Sequence, residues 1–347
     1  MKKVKLIFML PALIFIGCSE DPISDQIDNE NTTETQTKES IDDLTEVAFP
    51  EAYGTVTDVY YAGSQLPVED VNGQYVYQGD IIIPKSQATK SPVKLVYDKG
   101  ETPPQKSVGR TSHYWTDNTV YYEIDGSLPN TDRVYDAISH WEANTNIEFV
   151  KRSGQSNYIY FTPGSGCSSY VGMVGGKQNI TLADACSTGN TIHEIGHAMG
   201  LWHEQSRVDR DNHITIHFDN IQSGREYNFQ TYAENNYDGD EFTTSLDFGS
   251  IMMYSPYAFS SNGQPTITKK DGSTYGVQRT ALSSGDVKGI NSMYSSSGSG
   301  GTTATYVNGE YYTIAGLKVL RYNDKWYYYT RWGWRQIVLT NGNWYWA

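Results

Sequence analysis

Cysteine is scarce in this chain of 347 residues, which holds only Cys18, Cys167 and Cys186. Long apolar runs are scarcer. The one that stands out, Leu6 to Ile16 behind the basic start MKKVK, is too short to cross a bilayer and has the form of a secretory signal. A basic patch is missing too. The formal net charge is −14, of which residues 1–18 carry +3, residues 19–46 carry −9 from ten acids against Lys38, and residues 47–347 carry −8. Nothing in that distribution argues for a nucleic-acid partner.

Export is the first expectation. Phe15-Ile16-Gly17-Cys18 resembles a bacterial lipobox, with phenylalanine where leucine is usual, so Cys18 is the expected lipidation site and the precursor is expected to be membrane-anchored by lipid. The alternative is a simple signal peptide cut nearby. An exported chain meets an oxidising compartment, where Cys167 and Cys186 are expected to pair, closing a loop of about 20 residues worth on the order of 3 kcal/mol. Residues 19–48 have almost no apolar content at the start and a run of acids, which suits a disordered tether. Those acids also resemble surface-export signals of bacterial lipoproteins, the plain alternative being a solvated linker.

Further along, residues 49–106 read as a weakly folded segment. Its sharpest piece is Gly73 to Ile83, where Tyr75, Tyr77 and Ile81–Ile83 suggest short extended runs around a glycine turn. Its polar end, with a proline pair, Lys106 and Arg110, suits a cleavable connector between Lys99 and Arg110. Residues 107–294 then give strand (Val120–Ile124), helix (131–143, Asn130 as N-cap), strand (Tyr158–Phe161), a histidine-rich helix, and a closing helix near Leu282–Tyr294, an α+β pattern. Residues 295–304 form a Gly/Ser/Thr linker. Residues 305–347 carry 13 aromatics among three Asn-Gly or Asn-Asp turn signals and read as three or four antiparallel strands. Either those rings stack on a carbohydrate or surface ligand, or they form the module's own core.

The chemistry concentrates in Thr191–Asp211, TIHEIGHAMGLWHEQSRVDRD. His193 and His197 are four apart, so on a helix both imidazoles face one point. His203 is six further on, where a continuing helix would carry it away. Gly200 resolves this by taking the left-handed conformation that ends a helix and turns the chain back. Three imidazoles leave one corner of a tetrahedron open, which is the pattern of catalytic rather than structural zinc, and Glu194 is placed to take a proton from water there. His213 and His217 fall opposite Ile214 and Ile216 on an alternating run and read as solvent-facing, and His113 and His140 lack ligand spacing.

His193 to Asp211 resembles the astacin family of metzincin peptidases, matching HExxHxxGxxHExxRxDRD down to Glu204, Arg207, Asp209, Arg210 and Asp211. The resemblance implies a two-subdomain metzincin catalytic domain with a twisted sheet, an active-site helix and a Met-turn, followed here by a small all-β module that lies outside the family pattern. It implies one Zn2+, held by His193, His197 and His203. In Ser250-Ile251-Met252-Met253-Tyr254, it places Met252 beneath the metal and makes Tyr254 a mobile fifth ligand that later hydrogen-bonds the oxyanion. Tyr77-Gln78-Gly79-Asp80 is similar to the family's prosegment motif, with tyrosine for phenylalanine, and makes Asp80 the inhibitory ligand. The lack of cysteine between Cys18 and Cys167 rules out a cysteine switch.

The same resemblance lays an extended substrate along Cys167, Ser168, Ser169 and Tyr170. It puts Arg279 near the pocket for the residue after the scissile bond, so that Asp or Glu there is favoured, the plain alternative being a structural arginine. It also buries the mature N-terminus beside Glu204. The family commonly has a second disulfide for which this chain has no cysteines. A secreted or surface-anchored monomeric zinc endopeptidase, made as a latent precursor and acting on proteins or peptides, is therefore the expectation. The rival is a non-catalytic adhesin or carbohydrate-binding lipoprotein on the same scaffold, which a missing Glu194 or Tyr254 would have favoured. A serralysin-type metzincin would need glycine-aspartate calcium repeats, and the chain has none.

Overall fold

In the computed structural model, residues 46–61, 64–91, 96–97, 114–232, 234, 241–294, 307–314, 317–340 and 343–347 are described. The signal, Cys18, most of the tether, the connector from 98 to 113 and the linker from 295 lie outside them. Among the described residues no helix is long and apolar enough to cross a membrane.

The segment expected to be weakly folded is a sheet. β1 (Thr55–Tyr61), β2 (Ser64–Val71), β3 (Gln74–Tyr77) and β4 (Ile81–Ile83) pair antiparallel in that order. Asn72 (φ 50°) and Gly73 (φ 83°) turn β2 into β3, both left-handed as a tight hairpin requires. The short strands hide their strength from a local reading because part of their core comes from elsewhere. Val59, Leu66, Tyr77, Ile81 and Ile83 pack against Val171, Tyr232 and Trp202 of the following domain. The next piece, β5 (Val96–Tyr97), pairs with a strand from the far end of the chain.

The catalytic region begins with β6 (Thr119–Ile124) and α1 (Asp132–Asn144), then β7 (Glu148–Lys151), β8 (Tyr158–Thr162), β9 (Cys167–Ser168) and β10 (Lys177–Leu182). These strands make a mixed sheet in the order β7-β6-β8-β10-β9, parallel except for the edge strand β9. α1 starts one residue later than expected: Thr131 precedes the helix and Asn130 sits at φ 52°, so neither caps it with a side chain. Val134, Ile138 and Trp141 of α1 meet Ile159, Phe161, Ile180 and Leu182 of the sheet and Ile192 and Ile195 of α2 (Thr188–Ala198) in one core. Trp141 Nε1 donates to Ile192 O (3.2 Å) and Trp115 Nε1 to Ala198 O (3.0 Å), so both buried indoles are satisfied while they fix α2. The Cys167–Cys186 disulfide ties β9 to the chain just before α2.

Beyond α2, the alternating run His213–Phe218 is strand only over β11 (Ile214–Ile216), which pairs with β12 (Ile267–Lys269). His217 leaves the strand and its Nε2 lies 2.8 Å from Thr268 Oγ1, while His213 is about a quarter exposed. α3 (Ser284–Met293) closes this domain, and Tyr294 at its end reaches back so that its hydroxyl donates to Met199 O (3.0 Å). The last residues form β13 (Tyr311–Ile314), β14 (Leu317–Tyr322), β15 (Lys325–Thr330), β16 (Gly333–Thr340) and β17 (Asn343–Trp346), five antiparallel strands, with β5 added in parallel beyond β17. Trp326 and Trp344 fill its core, whereas Tyr311, Tyr329, Trp332 and Trp334 are exposed. The core reading therefore holds for Trp326 and Trp344, while the other four rings face outward.

Candidate metal centre

α2 is capped by Ser187, whose Oγ accepts from Asn190 N, with Asn190 Oδ1 accepting from Ser187 N in return. The helix ends at Met199, and Gly200 takes φ 106°. That single left-handed residue redirects the chain so that His203, no longer helical, returns to the face that carries His193 and His197. The three rings sit 4.7 to 5.4 Å apart between centroids, all buried.

Each ring is oriented by its Nδ1. His193 Nδ1 lies 2.8 Å from Ile251 O and His197 Nδ1 lies 2.8 Å from Leu201 O, both backbone acceptors, so the protons sit there and the Nε2 lone pairs point inward. His203 Nδ1 faces Gln78 Oε1 at 3.2 Å. The three Nε2 atoms converge on one carboxylate. Asp80 Oδ2 is 3.3 Å from His193 and 3.2 Å from His203, and Oδ1 is 3.6 Å from His197.

The four side chains place one ligand atom each within 4.8 Å of one another, the one such group of three or more among the described residues. Asp80 Oδ1 and His197 Nε2 are buried without a hydrogen-bond partner. Buried polar atoms are rarely left so, and a cation shared by three imidazoles and a carboxylate satisfies them at once. The donor set, nitrogen-rich with one oxygen, suits zinc. Burial pushes the Asp80 carboxyl up, but the facing His203 and His197 outweigh it and hold it well below the usual range.

Glu194 is fully buried beside this group, and neither of its oxygens has a hydrogen-bond partner. Burial, then the nearby Asp80 and Glu46 carboxylates, push it well above the ordinary range. Met252 lies beneath the helix: a Cβ on Gly196 would stand 2.7 Å from its Sδ. The turn itself is pinned by Asp286, which accepts from Ser250 Oγ (2.6 Å) and Ile251 N (2.9 Å). The Tyr254 ring lies tilted against His203 with centroids 4.6 Å apart, and its hydroxyl donates to Gln78 O at 2.6 Å.

Three regions of sequence thus meet at one point: the YQGD loop, α2 with its return, and the SIMMY turn. Profile comparison matches residues 107–295 to Astacin (peptidase family M12A), more than half of the chain. The chain belongs to the astacin family. It is 37% identical over 241 residues to Protein SpAN of Strongylocentrotus purpuratus, covering 66% of this chain and 39% of that protein. Flavastacin of Elizabethkingia meningoseptica is 40% identical over 210 residues, 57% of this chain and 45% of flavastacin, so the chain spans less than half of either relative. In structure it is similar to high choriolytic enzyme 1, a hatching enzyme zinc-protease of medaka, with 29% identity, a TM-score of 0.50, and coverage of 54% of this chain and 97% of that one. The α+β peptidase fold and the zinc requirement are those of the astacin family.

The remaining predicted residues fall around the centre. Ser169 N donates to Asp80 O (3.1 Å) and Ile82 N to Ser169 O (2.8 Å), so within Cys167–Tyr170 the backbone of Ser169 is paired with the Asp80–Ile82 segment. Glu204 accepts from Asp247 N (2.8 Å), and burial raises its carboxyl to about 7. Arg279 is buried and bonded to Glu46. Sequence reading missed three residues. Glu46 reads as part of the tether, although Glu46 and Ala48 are buried; Asn190 reads as an ordinary helix residue; Gln78 is the variable position of its motif. The apolar run Val47-Ala48-Phe49 right after Glu46 was the signal that the tether ends early.

Proposed function

We propose that this chain is the latent precursor of a zinc-dependent endopeptidase, exported and anchored through Cys18, that becomes active when the connector between Lys99 and Arg110 is cut. The observation that carries this reading is the Asp80 carboxylate seated between the three Nε2 atoms with Glu194 buried alongside. Zinc held by His193, His197 and His203 supplies a Lewis acid that polarises the scissile carbonyl and makes water reactive near neutral pH. Glu194 takes the water's proton and delivers it to the leaving amine. Tyr254 swings its hydroxyl to the carbonyl oxygen as negative charge develops there.

The precursor prevents each of these acts. Asp80 fills the place facing the histidines, and Gln78 O holds the Tyr254 hydroxyl. Ile82 and Asp80 use the backbone groups of Ser169 that an extended substrate would pair with. Met252 supports the histidines from below. After release, Arg279 favours substrates with Asp or Glu following the scissile bond, and Glu204 receives the new N-terminus. The exposed cluster of Tyr311, Tyr329 and Trp334 supports a carbohydrate or surface ligand for the C-terminal strands, with the protein acting as a monomer.

The test is peptide cleavage by the trypsin-activated protein. Glu194→Ala is expected to keep one zinc by metal analysis and to lose cleavage by about 10³-fold or more. Cleavage retained in that variant would sink the assignment, and zinc binding without cleavage in the unmutated protein would favour a non-catalytic scaffold.

A further inference from the structure

Glu46 lies outside every motif that led to the centre, yet its carboxylate is held by a site built for one. Arg279 donates to it through two nitrogens, Nε to Oε1 (2.5 Å) and Nη2 to Oε2 (2.8 Å), the fork-to-fork geometry of a strong charge-assisted pair. Asn190 Nδ2 adds a third donor to Oε1 (2.8 Å). These donors are also held by contacts that do not involve Glu46. Arg279 Nη2 also donates to Met253 O and Nη1 to Gln278 O, while the Asn190 amide is oriented by the helix cap, with Ser187 N and Oγ both on its Oδ1. A Cβ at Gly189 would stand 1.6 Å from Arg279 O, so that glycine is what lets the Arg279 backbone lie against the first turn of α2.

Glu46 and Asp80 are delivered together. Ala48 N donates to Gly79 O (2.9 Å), which joins the segment bearing Glu46 to the loop bearing Asp80. Glu46 Oε1 is also 3.9 Å from His193 Nδ1, so this pocket adjoins the metal centre.

We propose that Arg279 and Asn190 form a pocket for an acidic side chain and that Glu46 is its tethered occupant in the precursor, a second latch beside Asp80. This rests on the reading that Arg279 lines the pocket after the scissile bond; it adds Asn190 as a second specificity residue and Glu46 as a built-in competitor. A buried guanidinium without its carboxylate is costly, so the pocket of the activated protein demands an acid from its substrate. In the precursor the demand is met intramolecularly, at the high effective concentration that a folded prosegment provides.

The experiment uses full-length precursors and two fluorogenic peptides that differ only in Glu or Gln after the scissile bond. Glu46→Gln is expected to raise cleavage by the untreated precursor about 10-fold or more over the parent. After activation, which removes residue 46, the two preparations should be indistinguishable. Trypsin protection of residues 55–83 checks that the prosegment sheet survives in Glu46→Gln; leakage with that protection lost would count against the latch, and unchanged latency would overturn it. Asn190→Asp keeps the cap acceptor but turns the donor into a carboxylate. It is expected to erase the preference for the Glu peptide and to leak as a precursor, and an intact preference would overturn its role. If the activated parent shows no preference for the Glu peptide, the acid pocket itself fails, whatever Glu46→Gln does. A clear preference combined with full latency of Glu46→Gln would fail the latch alone.

Discussion

Each imidazole at the centre spends one nitrogen on the protein and keeps the other for the metal, and two of the three acceptors that fix this, the backbone Ile251 O and Leu201 O, belong to the astacin-matched region itself, the third being the Gln78 side chain. Tyr254 is different, since its hydroxyl is satisfied only by Gln78 of the prosegment. On the proposed activation, release of the segment bearing Gln78 would make that donor available to the developing oxyanion. Tyr254→Phe is therefore expected to lower kcat of the activated protein by about 10²-fold with KM changed little, because the bond forms in the transition state alone. A loss confined to KM would contradict that role. Asp286, under the Met-turn, offers a pH test at the same scale. Burial raises its carboxyl above the ordinary 3.8, against the hydrogen bonds from Ser250, Ile251 and Ser283 that pull it down. From about pH 3.8 up to its raised pKa the folded state binds more protons than the unfolded, so this group's contribution to stability falls as pH rises through that window. Asp286→Asn has no such slope, and its melting temperature relative to the parent is expected to climb over the same window. A pH-independent difference would show that the carboxyl is not strained by burial.

At the scale of elements, the decisive piece is the helix that ends on time. Gly200 at φ 106° turns His203 back, and a Cβ there would stand 2.8 Å from Met293 Cε of α3. Gly200→Ala is expected to cost about 1–3 kcal/mol in backbone strain and to lower the melting temperature by several degrees, with weaker zinc retention because the third histidine moves. Unchanged melting and zinc content would mean that the turn tolerates a side chain. This element was legible in the sequence because its rule is local: helical spacing for His193 and His197, then a glycine where the helix must stop. The strand at Val120–Ile124, the helix holding Val134, Ile138 and Trp141, and the closing helix were legible for the same reason. Asn130 misled as a cap because its left-handed φ belongs to the turn before the helix, and His213–Phe218 misled because alternation continues past the point where strand pairing stops. The prosegment sheet was under-read because its apolar face is completed by Val171, Trp202 and Tyr232, contacts that no local pattern reveals. Glu46 was invisible for a sharper reason: its partner, Arg279, is 233 positions away.

At the scale of the whole molecule, a short strand that precedes the connector in sequence is paired with the last strand of the chain. Val96 and Tyr97 pair in parallel with Trp344 and Tyr345, making a sixth strand on the C-terminal sheet, and Val96 is buried among Leu317, Val319, Trp326, Ile337 and Trp344. The sheet takes β5 by edge addition, with backbone hydrogen bonds for grip and one apolar side chain for register. A protease needs several extended residues free of such pairing, and Lys99 lies only two positions beyond Tyr97. On the proposed activation route, pairing of β5 with the C-terminal strands is expected to slow cleavage at Lys99. Deleting residues 305–347 is expected to speed trypsin nicking at Lys99, and with it the appearance of peptidase activity, by about 5-fold or more, as local opening becomes easier. Lys106 and Arg110, farther from the pairing, should gain less. Time courses read by mass spectrometry of the new N-termini separate the three sites. Equal nicking at Lys99 with and without the C-terminal strands would show that β5 gives the connector no protection, and a uniform gain at all three sites would trace the change to looser packing of the whole precursor rather than to this strand.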